Sequence, residues 1–87
     1  MSNFVINSRL VEREQMQNQL AKLIESALDQ GVLWPEAFAT FERLFIEAAL
    51  RRCGGRIIEA SDLIGIHRNT MTKKIADYSI NISMMKR

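Results

Sequence analysis

A single cysteine, Cys53, excludes an internal disulfide and fits a reducing compartment. One histidine, His67, is the only imidazole, so Cys53 and His67 lack the further ligands a metal site needs. Read as nucleophile and base, the same two residues have no orienting acid, and Cys53 sits beside Gly54 and Gly55 at a helix end, as a structural cysteine would. No apolar run approaches the ~18 residues that a membrane span requires. Met1 to Arg9 lacks a basic start followed by an adequate apolar run, so neither a leader nor an anchor is expected and the chain is assigned to the cytoplasm. The glycines are few, and Gly54-Gly55 has no preceding strand and no following Gly-Lys-Ser/Thr. It reads as a helix terminator, not a phosphate loop. The five methionines are scattered, and Trp34, the one tryptophan, is assigned to packing at a hinge. No cofactor, no metal, no small-molecule ligand and no enzymatic activity are expected.

Eighty-seven residues make one small structural domain, near the size at which a lone hydrophobic core is marginal. Net charge is only +2, but its distribution is uneven. Residues 1–50 carry four basic and seven acidic side chains, a balance of −3; residues 51–87 carry eight and three, a balance of +5. The basic excess is confined to the C-terminal part, as an electrostatic footprint for phosphate would be.

That part holds the most informative stretch, Gly54 to Tyr78. Ile57, Ala60, Ser61 and Ile64 recur at i, i+3, i+4 and i+7, which predicts a helix over 57–64. Gly65 supplies the left-handed residue that stops it, and Ile66 is a buried anchor in the turn. Met71, Ile75 and Tyr78 then mark the inner face of a second helix, 67–78. Small residues at 60 and 61 let the two helices cross closely. The pattern is a helix-turn-helix, whose second helix is free to enter the DNA major groove. On its outward arc lie Arg68, Asn69, Thr72 and Lys73, assigned to base edges. Arg can pair bidentately with guanine and Asn with adenine; Thr can pack its methyl on thymine, and Lys reaches guanine or phosphate. Arg56 and Lys74 are candidate phosphate contacts, and His67 can cap the helix or approach a phosphate.

The N-terminal half, residues 1–53, reads as an arm and two helices. Met1 to Asn7 is expected to be a mobile arm or short extended piece, with Asn7 or Ser8 capping a helix over 8–30. Met16, Leu20, Leu23, Ile24 and Ala27 form a narrow apolar stripe on it. Pro35 opens a second helix, 35–52, apolar over much of its circumference: Phe38, Phe41, Phe45, Ala48 and Ala49 on one side, with Ile46 and Leu50 beyond. One short chain cannot bury both surfaces. A homodimer is therefore expected, with Met16, Leu20, Leu23, Ile24, Ala27, Phe38, Phe41 and Phe45 in its interface. Residues 79–87 form a tail in which Ile80 and Ile82 can cap the core and Met84 to Arg87 are expected to be disordered.

The stretches FERLFIEAALRRCGG, ASDLIGI and RNTMTKKI resemble the Fis-type helix-turn-helix family. That family includes the factor for inversion stimulation and the C-terminal DNA-binding domains of sigma-54-dependent activators; RNTMTKKI is most similar to the nitrogen-regulatory-protein-C class. The resemblance covers about half the chain. It implies an all-α fold of four helices, two N-terminal core or dimerisation helices before the helix-turn-helix. It also implies a homodimer whose paired second helices enter adjacent major grooves of a palindrome-like duplex, often with bending. The family's base-reading and backbone-touching positions fall on Arg68, Asn69, Thr70, Thr72, Lys73 and Lys74, with Thr70 and Lys74 on phosphate. Two positions depart from the family: Arg56 replaces a polar amide, and Ile58 or Glu59 replaces a phosphate-contacting residue. The implied function is that of a bacterial transcription regulator or nucleoid-associated protein, stand-alone or the DNA-binding end of a larger activator, with the transcription machinery as a further partner. The competing class is a helical protein–protein adaptor with a vestigial helix-turn-helix. RNA is disfavoured, because no aromatic residues interleave with the basic ones.

Overall fold

The computed structural model describes residues 2–86, with side chains from Leu10 to Lys86. Expectations for Met1, for Arg87 and for the side chains of Phe4, Val5 and Ile6 lie outside the described residues. Four helices follow in order: α1 (Ser2–Asp29), α2 (Trp34–Arg52), α3 (Ile57–Ile64) and α4 (Arg68–Asp77), then a 3-10 turn at Ile82–Met85. Among the described residues there is no strand, and the expected all-α plan with a C-terminal helix-turn-helix is the one adopted. None of the helices is long and apolar enough to cross a membrane, among the described residues. The chain divides into two compact units, the first ending at Ala37 and the second starting at Phe38.

In the first unit, α1 begins at Ser2 and not at Asn7 or Ser8, so the arm expected for the first residues is helical from Ser2 onward. The physical reason is cooperativity. Residues 2–9 contain neither Gly nor Pro, and each residue added to an existing helix gains a hydrogen bond without a new nucleus. α1 ends in a reversal in which Val32 N–H reaches Ala27 O at 3.0 Å. Along its length Leu10, Val11, Met16, Leu23, Ile24 and Leu28 are about half exposed or more, Leu20 less so, and Ala27 is half-buried. α2 starts one residue earlier than expected, at Trp34, with Leu33 O accepting the Ala37 N–H at 3.0 Å. Pro35 loses nothing there, since N–H groups of a first turn have no intrahelical partner. Trp34 is not a buried packing residue: at the very start of the helix, it is 79% exposed.

The second unit holds the core. Ile46, Ala49 and Leu50 of α2 meet Ala60 of α3 and Met71 and Ile75 of α4, with Cys53, Ile57, Ile64, Ile66 and Tyr78 packed around them. Leu50 and Met71 are wholly buried, each worth about 1.5–3 kcal/mol of apolar transfer. Ala60 and Ser61 are buried as their small size requires, and Ser61 Oγ donates to Ile57 O at 2.7 Å, so no polar atom is stranded there. Ile66 anchors the turn from a half-buried position. α2 thus commits one side to the core. Its other apolar residues, Phe38, Phe41, Leu44 and Phe45, stay about half exposed, with the Phe41 and Phe45 rings 5.8 Å apart.

The C-terminal segment departs from expectation. Ile80 and Ile82 do pack on the core, but so does Met85, and residues 82–85 form a 3-10 turn instead of a disordered end. The cause is a seat in the turn after α2. Gly55 is buried at φ +82°, and an ideal Cβ there would lie 2.9 Å from Ile82 Cγ2 and 3.1 Å from Ile82 O. Only a residue without a side chain leaves room for the returning chain.

Candidate nucleic-acid interface

The turn between α3 and α4 is set by Gly65, at φ +76°; its N–H and that of Ile66 both reach Ser61 O, at 2.9 and 3.0 Å. His67 is the N-cap of α4, and its Nδ1 accepts the Asn69 N–H at 3.0 Å. An accepting Nδ1 carries no hydrogen, so the ring hydrogen is assigned to Nε2, which remains able to donate outward. From this start Met71 and Ile75 point into the core while Arg68, Asn69, Thr70, Thr72 and Lys73 are exposed. Thr72 Oγ1 donates to Arg68 O at 2.9 Å. Its hydroxyl hydrogen is thereby used, leaving its methyl and lone pairs for a partner.

An open groove of about 900 Å3 runs beside α4. Arg56, Arg68, Asn69 and Thr72 line it together, with Ile58 and Glu59 from α3. His67, Thr70, Lys73 and Lys74 are not among its lining residues. Among the described residues, neither Arg68 nor Lys73 has an ion-pair partner, so both charges are available to a ligand. Arg56 Nε lies 2.9 Å from Glu59 Oε2, with both side chains more than half exposed. A solvent-exposed pair of this kind is worth at most about 1 kcal/mol and exchanges readily for phosphate. Ile58, where a polar contact residue was expected from the family, is exposed and apolar.

Lys74 is placed differently from its neighbours. Its Nζ lies 3.0 Å from Glu42 Oε1, and the same oxygen accepts the Tyr78 hydroxyl at 2.6 Å. Glu42 thus ties α2 to α4 through two side chains, each group about one-quarter to one-third exposed in the ion pair. The hydrogen bond from Tyr78, then that from Lys74 and its charge, hold the Glu42 carboxyl below the ordinary glutamate value. The Glu42 carboxylate, first by accepting that bond, and then partial burial hold the Tyr78 hydroxyl above its usual range. Only one of the three Lys74 donors is engaged by Glu42, so a phosphate contact by Lys74 would share its ammonium with that pair or replace it. The sequence carried a partial signal for this: Lys74 is three residues from Met71 and four from Tyr78, at the border of the buried stripe. Its partner, 32 residues away, was not readable. Ser83 and Lys86 also line the groove, and no periodicity points to them.

Against known proteins, residues 37–78 match the family described as "Bacterial regulatory protein, Fis family". The chain is also 38% identical over 56 residues to the DNA-binding transcriptional regulator NtrC of Rhizobium meliloti (strain 1021). That alignment covers 64% of this chain but only 12% of the relative, so the chain spans a small part of that protein's length. No solved structure matches. The matched stretch takes in α3, the Gly65 turn and α4, together with the part of α2 that they pack on. Residues 37–78 are a helix-turn-helix of the Fis type.

Proposed function

We propose that this chain is a DNA-binding domain of a transcription regulator, acting on double-stranded DNA as a homodimer with α4 in the major groove. The observation that carries the reading is the convergence of Arg68, Asn69 and Thr72 on one open groove beside a helix-turn-helix. These are side chains able to read base edges, held by a core on the opposite face. In this reading Arg68, Asn69, Thr72 and Lys73 face bases. Arg56, His67 through Nε2, Thr70 and Lys74 face phosphates, with Lys74 sharing its ammonium with Glu42 or giving up that pair. The two-fold arrangement is supported by the exposed apolar residues of α1 and, separately, by Phe41, Leu44 and Phe45 of α2, each an apolar face that a second copy would cover. The cytoplasmic setting and contact with the transcription machinery follow from the same reading.

The test is selection of bound sequences from random duplex DNA. Enrichment of a two-fold symmetric motif is expected; failure to enrich any sequence would sink the specific-binding reading. The exposed apolar residues also suit a protein–protein adaptor. Sedimentation of the isolated chain separates the two, because an adaptor stays monomeric where a regulator of this kind dimerises.

A further inference from the structure

The segment after α4 shares the groove with that helix. α4 closes on Ser79, which adopts a left-handed φ of +53°. Ile80 N–H reaches back to Ile75 O at 3.0 Å and Ser79 N–H to Ala76 O at 3.1 Å. That closure reverses the chain and drops Ile80, Ile82 and Met85 onto the core. The 3-10 turn then lands on Gly55, where Lys86 Cγ would be 3.5 Å from an ideal Cβ. Three apolar anchors and a glycine seat therefore fix the chain up to Lys86.

Lys86 borders two adjoining depressions. One is shared with Arg52, Gly54, Gly55 and Arg56; the other contains Arg56, Arg68 and Asn69. Four cations from separate segments, Arg52, Arg56, Arg68 and Lys86, thus line one continuous stretch of surface. The acidic residue lining it, Glu59, is paired with Arg56. Ser83 also borders the groove, but its hydroxyl donates to Asn81 Oδ1, so no phosphate contact is assigned to it.

We propose that the returning C-terminal segment is part of the DNA-binding surface, with Lys86 contacting the sugar-phosphate backbone beside the groove that α4 occupies. Lys86 lines the same depression as Arg52 and Arg56, and together they make a cationic ledge at one edge of the helix-turn-helix, suited to the anionic phosphates of a duplex. The contact is independent of base sequence. It rests on the reading of α4 as the DNA-contacting helix.

The test measures affinity of wild type, Lys86→Gln, Lys86→Arg and Lys22→Gln for a random-sequence duplex and for a selected site, across a salt series. Lys22 stands on α1 and serves as a charge-removal control. Lys86→Gln is expected to weaken both duplexes by the same factor and to flatten the slope of log K against log salt by about 0.9 per chain, one phosphate's worth. Lys86→Arg should restore both, and Lys22→Gln should change neither. Circular dichroism confirms that the variants fold, as expected for an exposed side chain. An unchanged slope in Lys86→Gln, with salt-dependent binding by wild type, overturns the proposal alone. A wild type that binds neither duplex overturns the reading of α4 as well.

Discussion

Arg68 lies at the first position of α4, exposed and without an ion-pair partner among the described residues. The N-terminal residues of such helices reach deepest into the major groove, and a bidentate arginine–guanine pair is worth about 1–3 kcal/mol of discrimination. Arg68→Ala is expected to lose that amount on the preferred site and far less on random duplex, with its circular dichroism spectrum unchanged. Equal losses on both DNAs would move Arg68 to a phosphate. Glu42 makes a prediction about stability, not reading. Its carboxylate contribution is fully present above the ordinary glutamate value of 4.5 and is lost as pH falls through its lower folded value. The Tyr78 hydroxyl contribution is present below the ordinary tyrosine value of 10.0 and is lost as pH rises through its higher folded value. Melting temperatures should therefore fall on acidification more steeply in wild type than in Glu42→Gln, which should melt lower at neutral pH. Superimposable melting profiles across the acid range would show that the link between α2 and α4 contributes nothing. The outward set on α4 could be read from spacing alone, because Met71 and Ile75 fix which face is buried. The engagement of Lys74 could not, because its partner is brought near only by folding.

At the level of elements, the two helices of the helix-turn-helix were legible because each carries its own punctuation. Gly65 stops α3, and the buried positions recur at helical spacing. The start of α1 was missed because Asn7 and Ser8 are competent caps, and competence does not end a helix that can continue upstream. The 3-10 turn was missed for the opposite reason. Nothing periodic specifies it; Gly55 and the core hold it from outside. Gly55→Ala tests that dependence. Its left-handed φ alone costs a non-glycine residue roughly 1–2 kcal/mol, and the new methyl would collide with Ile82. The variant should melt lower, and amide hydrogens of the segment after α4 should exchange faster than those of α3. Unaltered exchange in that segment would mean that the seat is not what holds it.

For the whole molecule, the apolar stripe of α1 and the exposed phenylalanines of α2 carry the expectation of a dimer. Leu23, 68% exposed, is a direct probe. Leu23→Asp should weaken association and lower the melting temperature together, since folding and dimerisation are linked by mass action, and the wild-type melting temperature should rise with concentration. A wild type that sediments as a well-folded monomer at micromolar concentration would falsify the dimer. The stripe itself was legible, whereas what covers it was not, since a sequence states which faces are apolar but not whose surface meets them. The seating of the tail on Gly55 also bears on how this protein should be handled. A fluorophore, peptide epitope or tether coupled to the Lys86 side chain would sit at the groove that Arg56 and Arg68 also line. An acidic epitope there would act as a built-in competitor for the cationic ledge, while a polyhistidine run would add apparent affinity of its own.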